Sequence, residues 1–261
     1  MDFSGYSAIL VDLDGTLYCE THALPGAVAF VQRLQREGRP FNCLSNTTES
    51  PIWASNRLKK MGMEIVPSAI YTATESAVDY VLERFGTRPA IYNLATAGLG
   101  ELLDHRCKWV TKGDEPCDAV ICGALANQFV NLDRMRVALA LVRKGAACVG
   151  ICADRVYPGP QGMEFGSGAL TTMLAYAGGV EPVFCGKPER HFFEHACQRM
   201  SAAPQSCLLI GDNLESDILG AKALGIKTIL TLTGVTSMKD LQNASPDEQP
   251  DKVVQSLLEL I

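Results

Sequence analysis

The chain of 261 residues has no run of Lys and Arg, no CxxC pair and no HExxH motif. It also has no apolar stretch near the ~20 residues that a membrane-spanning helix needs. Each absence removes a class of function. Without a basic cluster, and with a formal net charge of -6, the sequence offers no face for nucleic acid or an anionic membrane. The 10 cysteines sit mostly in apolar runs such as FNCLS, AVICG, ACVGIC and SCLLIG, which suits small buried thiols in a reducing compartment. His191 and His195 are spaced i,i+4 without an accompanying Glu, so they do not read as a metal pair. The two tryptophans, Trp53 and Trp109, read as packing residues rather than a base-stacking platform. The stretch MDFSGYSAILVDLDG lacks a basic region ahead of its short apolar run, so it does not read as a signal peptide, and a cytoplasmic location is expected.

What is present is an ordinary globular composition, 47% hydrophobic and 20% charged, long enough to build a core without staples. Ala8 to Asp12 reads as a strand buried on both faces, the mark of a parallel sheet covered by helices. A helix with Ala27, Phe30, Val31 and Leu34 on one face follows, stopped at Gly38. Then come a strand at Phe41 to Leu44 and a helix opened by Ser50-Pro51 and stopped at Gly62. The end of the chain repeats the alternation. It predicts strands at Cys207 to Ile210 and Lys227 to Leu232, a helix over Asn213 to Leu224, and a last helix carrying Val253, Val254, Leu257, Leu258 and Ile261. The middle has its own strand-like runs at Ala90-Tyr92, Ala119-Cys122 and Ala146-Cys152, with a helix at Leu132-Lys144. The expected fold is therefore α/β: a Rossmann-like doubly wound parallel sheet, residues 1–79 and 182–261, carrying an inserted α/β domain at 80–181.

Ligands of open α/β sheets bind beyond the carboxyl ends of the strands. The polar residues that directly follow the predicted strands are Asp12 and Asp14, then Ser45, Asn46 and Thr47, then Gly186-Lys187 after Pro182-Cys185, then Gly211-Asp212 with Asp217 beyond. Several carboxylates at one place repel unless a hard cation sits among them, and Mg²⁺ with a substrate phosphate suits such a set. Lys187 offers a point charge for phosphate. Ser45 and Asn46 offer short donors, and Gly15 permits close backbone approach. One carboxylate then serves as covalent nucleophile and a second as general acid and base.

DLDGT, SNTT, GKP and GDNLESD, in that order, resemble the four motifs of the haloacid dehalogenase superfamily. YTATESAVDYVLERFG, GSGAL and LTGVT around the insert resemble its NagD-type, p-nitrophenylphosphatase-like branch (subfamily IIA). The resemblance implies a Mg²⁺-dependent phosphatase of a small phosphorylated metabolite, working through an aspartyl phosphate. It implies Asp12 as nucleophile and Asp14 as acid and base, with Ser45 and Lys187 on the phosphoryl oxygens. Asp12, the Asp14 backbone carbonyl and Asp212 would hold the metal, and Asp217 would orient Lys187 or a metal-bound water. Gly15, Asn46, Thr47, Asp154, Lys187 and Asn213 would face the substrate. The insert would be a type C2 cap that reads the substrate, and a homodimer through it is implied.

The chain departs from the branch in places. It has CGALANQFVN where Gly-Leu-Asp with Phe and Tyr is common, and ICADR where Thr-Asn-Pro-Asp is common, so that Asp154 alone matches. Ser45, Asn46 and Thr47 stand for Thr-Asn-Asn, and Asn213 and Glu215 for Arg and Asp. Two other readings compete: a receiver-like module with a phosphorylatable Asp, and a phosphotransferase or mutase. The acid at position 14 and the long insert weigh against the first. The second needs another phosphate site, and there is no extra Arg cluster to build it.

Overall fold

The structure, a computed structural model, describes residues 1–124, 130–159 and 162–261. It divides into two compact units. One comprises Met1–Ser45, Pro51–Tyr71 and Lys187–Ile261, and the other Asn46–Ser50 and Thr72–Gly186.

The first unit is built on a six-stranded sheet, in the order Lys252–Val254, Lys227–Thr231, Cys207–Gly211, Ala8–Asp12, Phe41–Ser45 and Ile70–Thr72. The pairings from Lys252–Val254 across to Phe41–Ser45 are all parallel. Ala8–Asp12 is central and buried along its whole length, as its unbroken apolar run requires. From there the chain proceeds outward through Phe41–Ser45 and Ile70–Thr72. It returns on the opposite side of Ala8–Asp12 as Cys207–Gly211. The strand order therefore reverses between Ala8–Asp12 and Cys207–Gly211, which opens a crevice at their carboxyl ends. The helix Ala27–Arg36 buries the anticipated face, Ala27, Phe30, Val31 and Leu34, and joins Leu58 of the helix Pro51–Lys60 in one core with Ile9, Val11 and Ile210.

Three local expectations for this unit are corrected. Asn213 to Leu224 is not one regular helix: a widened π-type turn, Leu214–Leu219, precedes a short α-turn, Gly220–Lys222. Both Asp217 N and Ile218 N donate to Asn213 O, at 3.0 and 3.1 Å, which spreads the turn. The last helix is replaced by the edge strand Lys252–Val254 and a 3-10 turn, Leu257–Leu260. Asp251 accepts from Thr228 N at 2.9 Å and aligns that segment with its neighbour strand. Val254, Leu257 and Leu260 become buried by this route, while Leu258 and Ile261 stay exposed. Finally, the strand before Lys187 does not belong to this sheet at all.

That strand, Val183–Phe184, is the edge of the second unit's sheet, whose order is Val183–Phe184, Ala147–Gly150, Ala119–Cys122, Ala90–Leu94 and Lys108–Trp109, parallel throughout. The unit thus begins before and ends after the anticipated 80–181. The helix Ala73–Phe85 belongs to it, capped by Thr72, with Ser76 Oγ donating to Cys185 O at 2.7 Å. Leu132–Arg143 packs Ala138, Leu141 and Val142 against strand residues Val120 and Cys148, with Asn131 capping its start. Val156–Gly159 and Gly162–Phe165 pair as an antiparallel hairpin. Of CGALANQFVN, residues 125–129 lie outside the described residues. All ten cysteines are free thiols, most of them buried.

Candidate active site

Asp12 ends the central strand and Asp212 follows its neighbour Cys207–Gly211, so both carboxylates stand at the crevice where the strand order reverses. Asp217 joins them from the widened turn. Each of the three offers an oxygen within 4.8 Å of the others, and all are buried. Lys187 Nζ donates to Asp12 Oδ1 at 2.5 Å and to Asp217 Oδ1 at 2.6 Å. Burial works against the ammonium charge, but Asp12 and Asp217 outweigh it and hold the Lys187 pKa above its ordinary value. The remaining balance is negative, three carboxylates to one ammonium. Burial, with Asp217 and Asp212 adding to it, pushes Asp12 well above the usual carboxylate range despite Lys187. Asp212 is pushed up to about 6, chiefly by burial and then by Asp217.

Both oxygens of Asp217 are engaged: Oδ1 with Lys187, and Oδ2 with the backbone N–H groups of Asp212 and Asn213, each at 3.2 Å. Asp12 Oδ2, in contrast, is buried with no partner. An orphaned carboxylate oxygen among hard oxygen donors, at a site short of positive charge, fits a divalent cation such as Mg²⁺.

Asp212 is walled in by glycines. Gly15 has φ +86°, and a Cβ there would lie 2.4 Å from Asp212 Oδ2; one at Gly234 would lie 1.8 Å from it. Val235 N donates to the same oxygen at 2.7 Å, and Thr233 Oγ1 donates to Gly15 O at 2.7 Å. Thr233, Gly234 and Val235 thus shape the site, although sequence reasoning gave them no role there. The LTGVT stretch was their signal.

Ser45 ends the Phe41–Ser45 strand, fully buried, with its hydroxyl bonded to Asp14. Asp14 lies apart from the three-carboxylate group and accepts from Tyr18 OH at 2.8 Å. Burial raises its pKa, with the Tyr18 bond and the Arg57 charge opposing. Asn213 uses its side-chain oxygen to cap the widened turn, accepting from Glu215 N and Ser216 N at 2.9 and 3.1 Å. Asn46, Thr47 and Asp154 belong to the second unit. There Asn46 Nδ2 donates to Asp154 Oδ1 at 3.1 Å, and Thr47 Oγ1 accepts from Glu49 N at 3.3 Å.

Comparison with known proteins places this arrangement. The haloacid dehalogenase-like hydrolase family matches residues 9–106, and a HAD-hydrolase-like family matches residues 184–260. The acid sugar phosphatase of Staphylococcus aureus (strain USA300) is 30% identical over 91% of each chain. The chain belongs to the haloacid dehalogenase superfamily. Its fold matches that of a 4-nitrophenylphosphatase from Thermotoga maritima with a TM-score of 0.89 and 26% identity, covering 99% of this chain and 97% of that one. It also matches a glycerol phosphate phosphatase from Mycobacterium tuberculosis, solved with magnesium, with a TM-score of 0.88 and 25% identity over 99% of this chain and 77% of that one. The same phosphatase has been solved with calcium. Within the superfamily the chain falls in the NagD-type, p-nitrophenylphosphatase-like branch, and it is a hydrolase of phosphoric monoesters.

Proposed function

We propose that this hydrolase is a Mg²⁺-dependent phosphatase of a small phosphorylated metabolite, a sugar phosphate or similar monoester, working through an aspartyl phosphate on Asp12. The observation that carries the reading is the cluster of three buried carboxylates with one orphaned oxygen on Asp12 and Lys187 bonded beside it. Asp12, the backbone carbonyl of Asp14 and Asp212 would hold Mg²⁺, which when bound supplies positive charge against the phosphoryl oxygens and the nucleophile. Lys187, fixed by Asp217, neutralises a further phosphoryl oxygen, and Ser45 donates to another. Asp12 attacks phosphorus, and Asp14 gives a proton to the leaving oxygen. Asp14 then takes a proton from the water that releases phosphate. The insert is the unit that reads the substrate, with Asp154 and the Asn46-Thr47 pair facing it.

A homodimer through the insert belongs to the same proposal. Its support is apolar surface there: Met163 and Phe165 on the hairpin and Met173 and Tyr176 on the Ser167–Gly178 helix are exposed, Tyr176 at 89%. Sedimentation of the wild type as a dimer, and of Tyr176→Asp as a monomer, is the expected result.

The test of the function is phosphate release from a panel of phosphorylated metabolites with Mg²⁺, wild type beside Asp12→Asn. One compound turned over far faster than the rest, by the wild type alone, supports the reading. A wild type that keeps a stable acyl phosphate without releasing phosphate, or moves it to a second metabolite, refutes hydrolysis as the function.

A further inference from the structure

One side chain outside every motif stands against Asp14, and a second holds it there. The turn after Ala8–Asp12 is tight: Leu17 N and Tyr18 N both donate to Leu13 O, at 2.9 and 3.1 Å, and Gly15 N donates to Tyr18 O at 2.8 Å. The chain therefore folds back and sets Tyr18 beside Asp14, where the phenol donates to Oδ2 at 2.8 Å. Tyr18 is only 3% exposed. The Arg57 guanidinium, from the helix Pro51–Lys60, lies 5.0 Å over the Tyr18 ring and 5.1 Å over the Trp53 ring, and it also donates to Glu20 O. The ring is held on its face and at its hydroxyl.

We propose that Tyr18 is a positioning residue for the general acid: it occupies Asp14 Oδ2, so that Oδ1 is the oxygen that carries the proton to the leaving group, and Arg57 clamps the ring that does this. The proposal rests on the reading of Asp14 as acid and base. When an Asp12 oxygen bonds to phosphorus, the bond from phosphorus to the leaving alcohol breaks and its electron pair stays on that oxygen. The Asp14 proton moves to it, which leaves a neutral alcohol and an Asp14 carboxylate. In the second half Asp14 takes one proton from water as the water oxygen bonds to phosphorus, and the electron pair of the breaking bond returns to Asp12. Ser45 also bonds Asp14 here, but it is assigned to a phosphoryl oxygen once substrate binds. Tyr18 is the partner that stays with the acid through both halves.

Leaving groups separate this role from a merely structural one. A p-nitrophenolate departs with little help from an acid, whereas an alkoxide needs the proton. Tyr18→Phe is expected to lower kcat/KM, which reports the steps through departure of the leaving group, by about 10- to 100-fold on an alkyl phosphate of the metabolite panel, part of the roughly 10²- to 10⁴-fold that general acids contribute. Its kcat/KM on p-nitrophenyl phosphate is expected to fall less than about 3-fold, whereas kcat, which also contains hydrolysis of the aspartyl phosphate common to both substrates, is expected to fall for both. Arg57→Gln, which keeps the hydroxyl, is expected to show the same selectivity in smaller measure, and it carries the test if Tyr18→Phe folds poorly. Equal losses in kcat/KM on both substrates, or no loss on the alkyl phosphate, would overturn the assignment of Tyr18 while leaving the phosphatase reading intact. Asp14→Asn run alongside distinguishes the two failures. If leaving-group release in its first turnover too shows no such selectivity, Asp14 is not the acid, and both the reading and the inference fall.

Discussion

In the unit that carries the catalytic motifs, Asp12, Lys187, Asp212 and Asp217 are all buried within reach of one another. In the inserted unit, among the described residues, the buried polar side chains are Ser and Thr alone, and the sheet is packed with apolar residues. Burying unbalanced charge opposes folding unless each group finds a partner. The first unit accepts that cost where the chemistry needs it, and nearly every atom around those charges is then specified: Gly15, Gly211 and Gly234 because a Cβ would strike a carboxylate, and Asp217 because both its oxygens are used. Among its described residues the insert buries no charged side chain, and its Asn46–Asp154–Cys152–Ser167 hydrogen bonds involve one half-buried carboxylate. Its core is apolar volume with a few hydrogen-bonded Ser and Thr hydroxyls.

The sharpest way to break this comparison is to remove the central cation. Lys187→Met leaves Asp12 and Asp217 facing each other without their ammonium, and a loss of about 3–5 kcal/mol is expected, with kcat down by roughly 10²- to 10³-fold. Urea denaturation and phosphate release measure the two; an unchanged midpoint would mean that the network does not contribute to the fold.

Metal and pH come next. In chelator, Asp212 titrates at about 6 in the folded protein against an ordinary 3.8. Between those values the folded chain binds more protons than the unfolded one, so this group costs stability as pH rises from about 4 through about 6. Asp12, raised in the same direction, adds to the trend. On the proposed reading, Mg²⁺ would take the place of the proton. The melting temperature at pH 7 is therefore expected to rise on adding Mg²⁺, and the fall with pH to flatten. A metal-free curve that climbs over that range would contradict the charge balance described above.

A smaller effect is expected in the insert. Asp154→Ala removes the acceptor of Asn46 Nδ2. It should reorder the metabolite panel by about 10-fold between neighbouring substrates while leaving p-nitrophenyl phosphate within about 3-fold. Smallest is Ser76→Ala, which deletes the bond to Cys185 O and should cost about 1 kcal/mol with no change in kcat. A large kinetic effect of Ser76→Ala would erase the contrast between the two units.

Much of this was legible in the chain. The buried strand at Ala8–Asp12, the helix face at Ala27, Phe30, Val31 and Leu34, and the insert's strands follow from unbroken apolar runs and a helical period. Asp12 and Asp212 were legible because each stands at the end of such a run, with Asp217 five residues beyond Asp212. Less legible was any feature set by partners far along the chain. The apolar spacing from Val253 to Ile261 suits a helix, yet the vacant edge beside Lys227–Thr231 turned its start into a strand. Tyr18 carried no signal for its place against Asp14, because nothing in its neighbours says that the turn folds back onto the acid.

The sequence by itself determined the elements and their chemistry, since apolar period and short motifs act over neighbouring residues. Only the tertiary structure decided that Lys187, arriving from the edge strand of the insert's sheet, bridges Asp12 and Asp217, 175 and 30 residues away along the chain. Electrostatics in a buried site depends on distances through space, and those exist only once the sheet has closed.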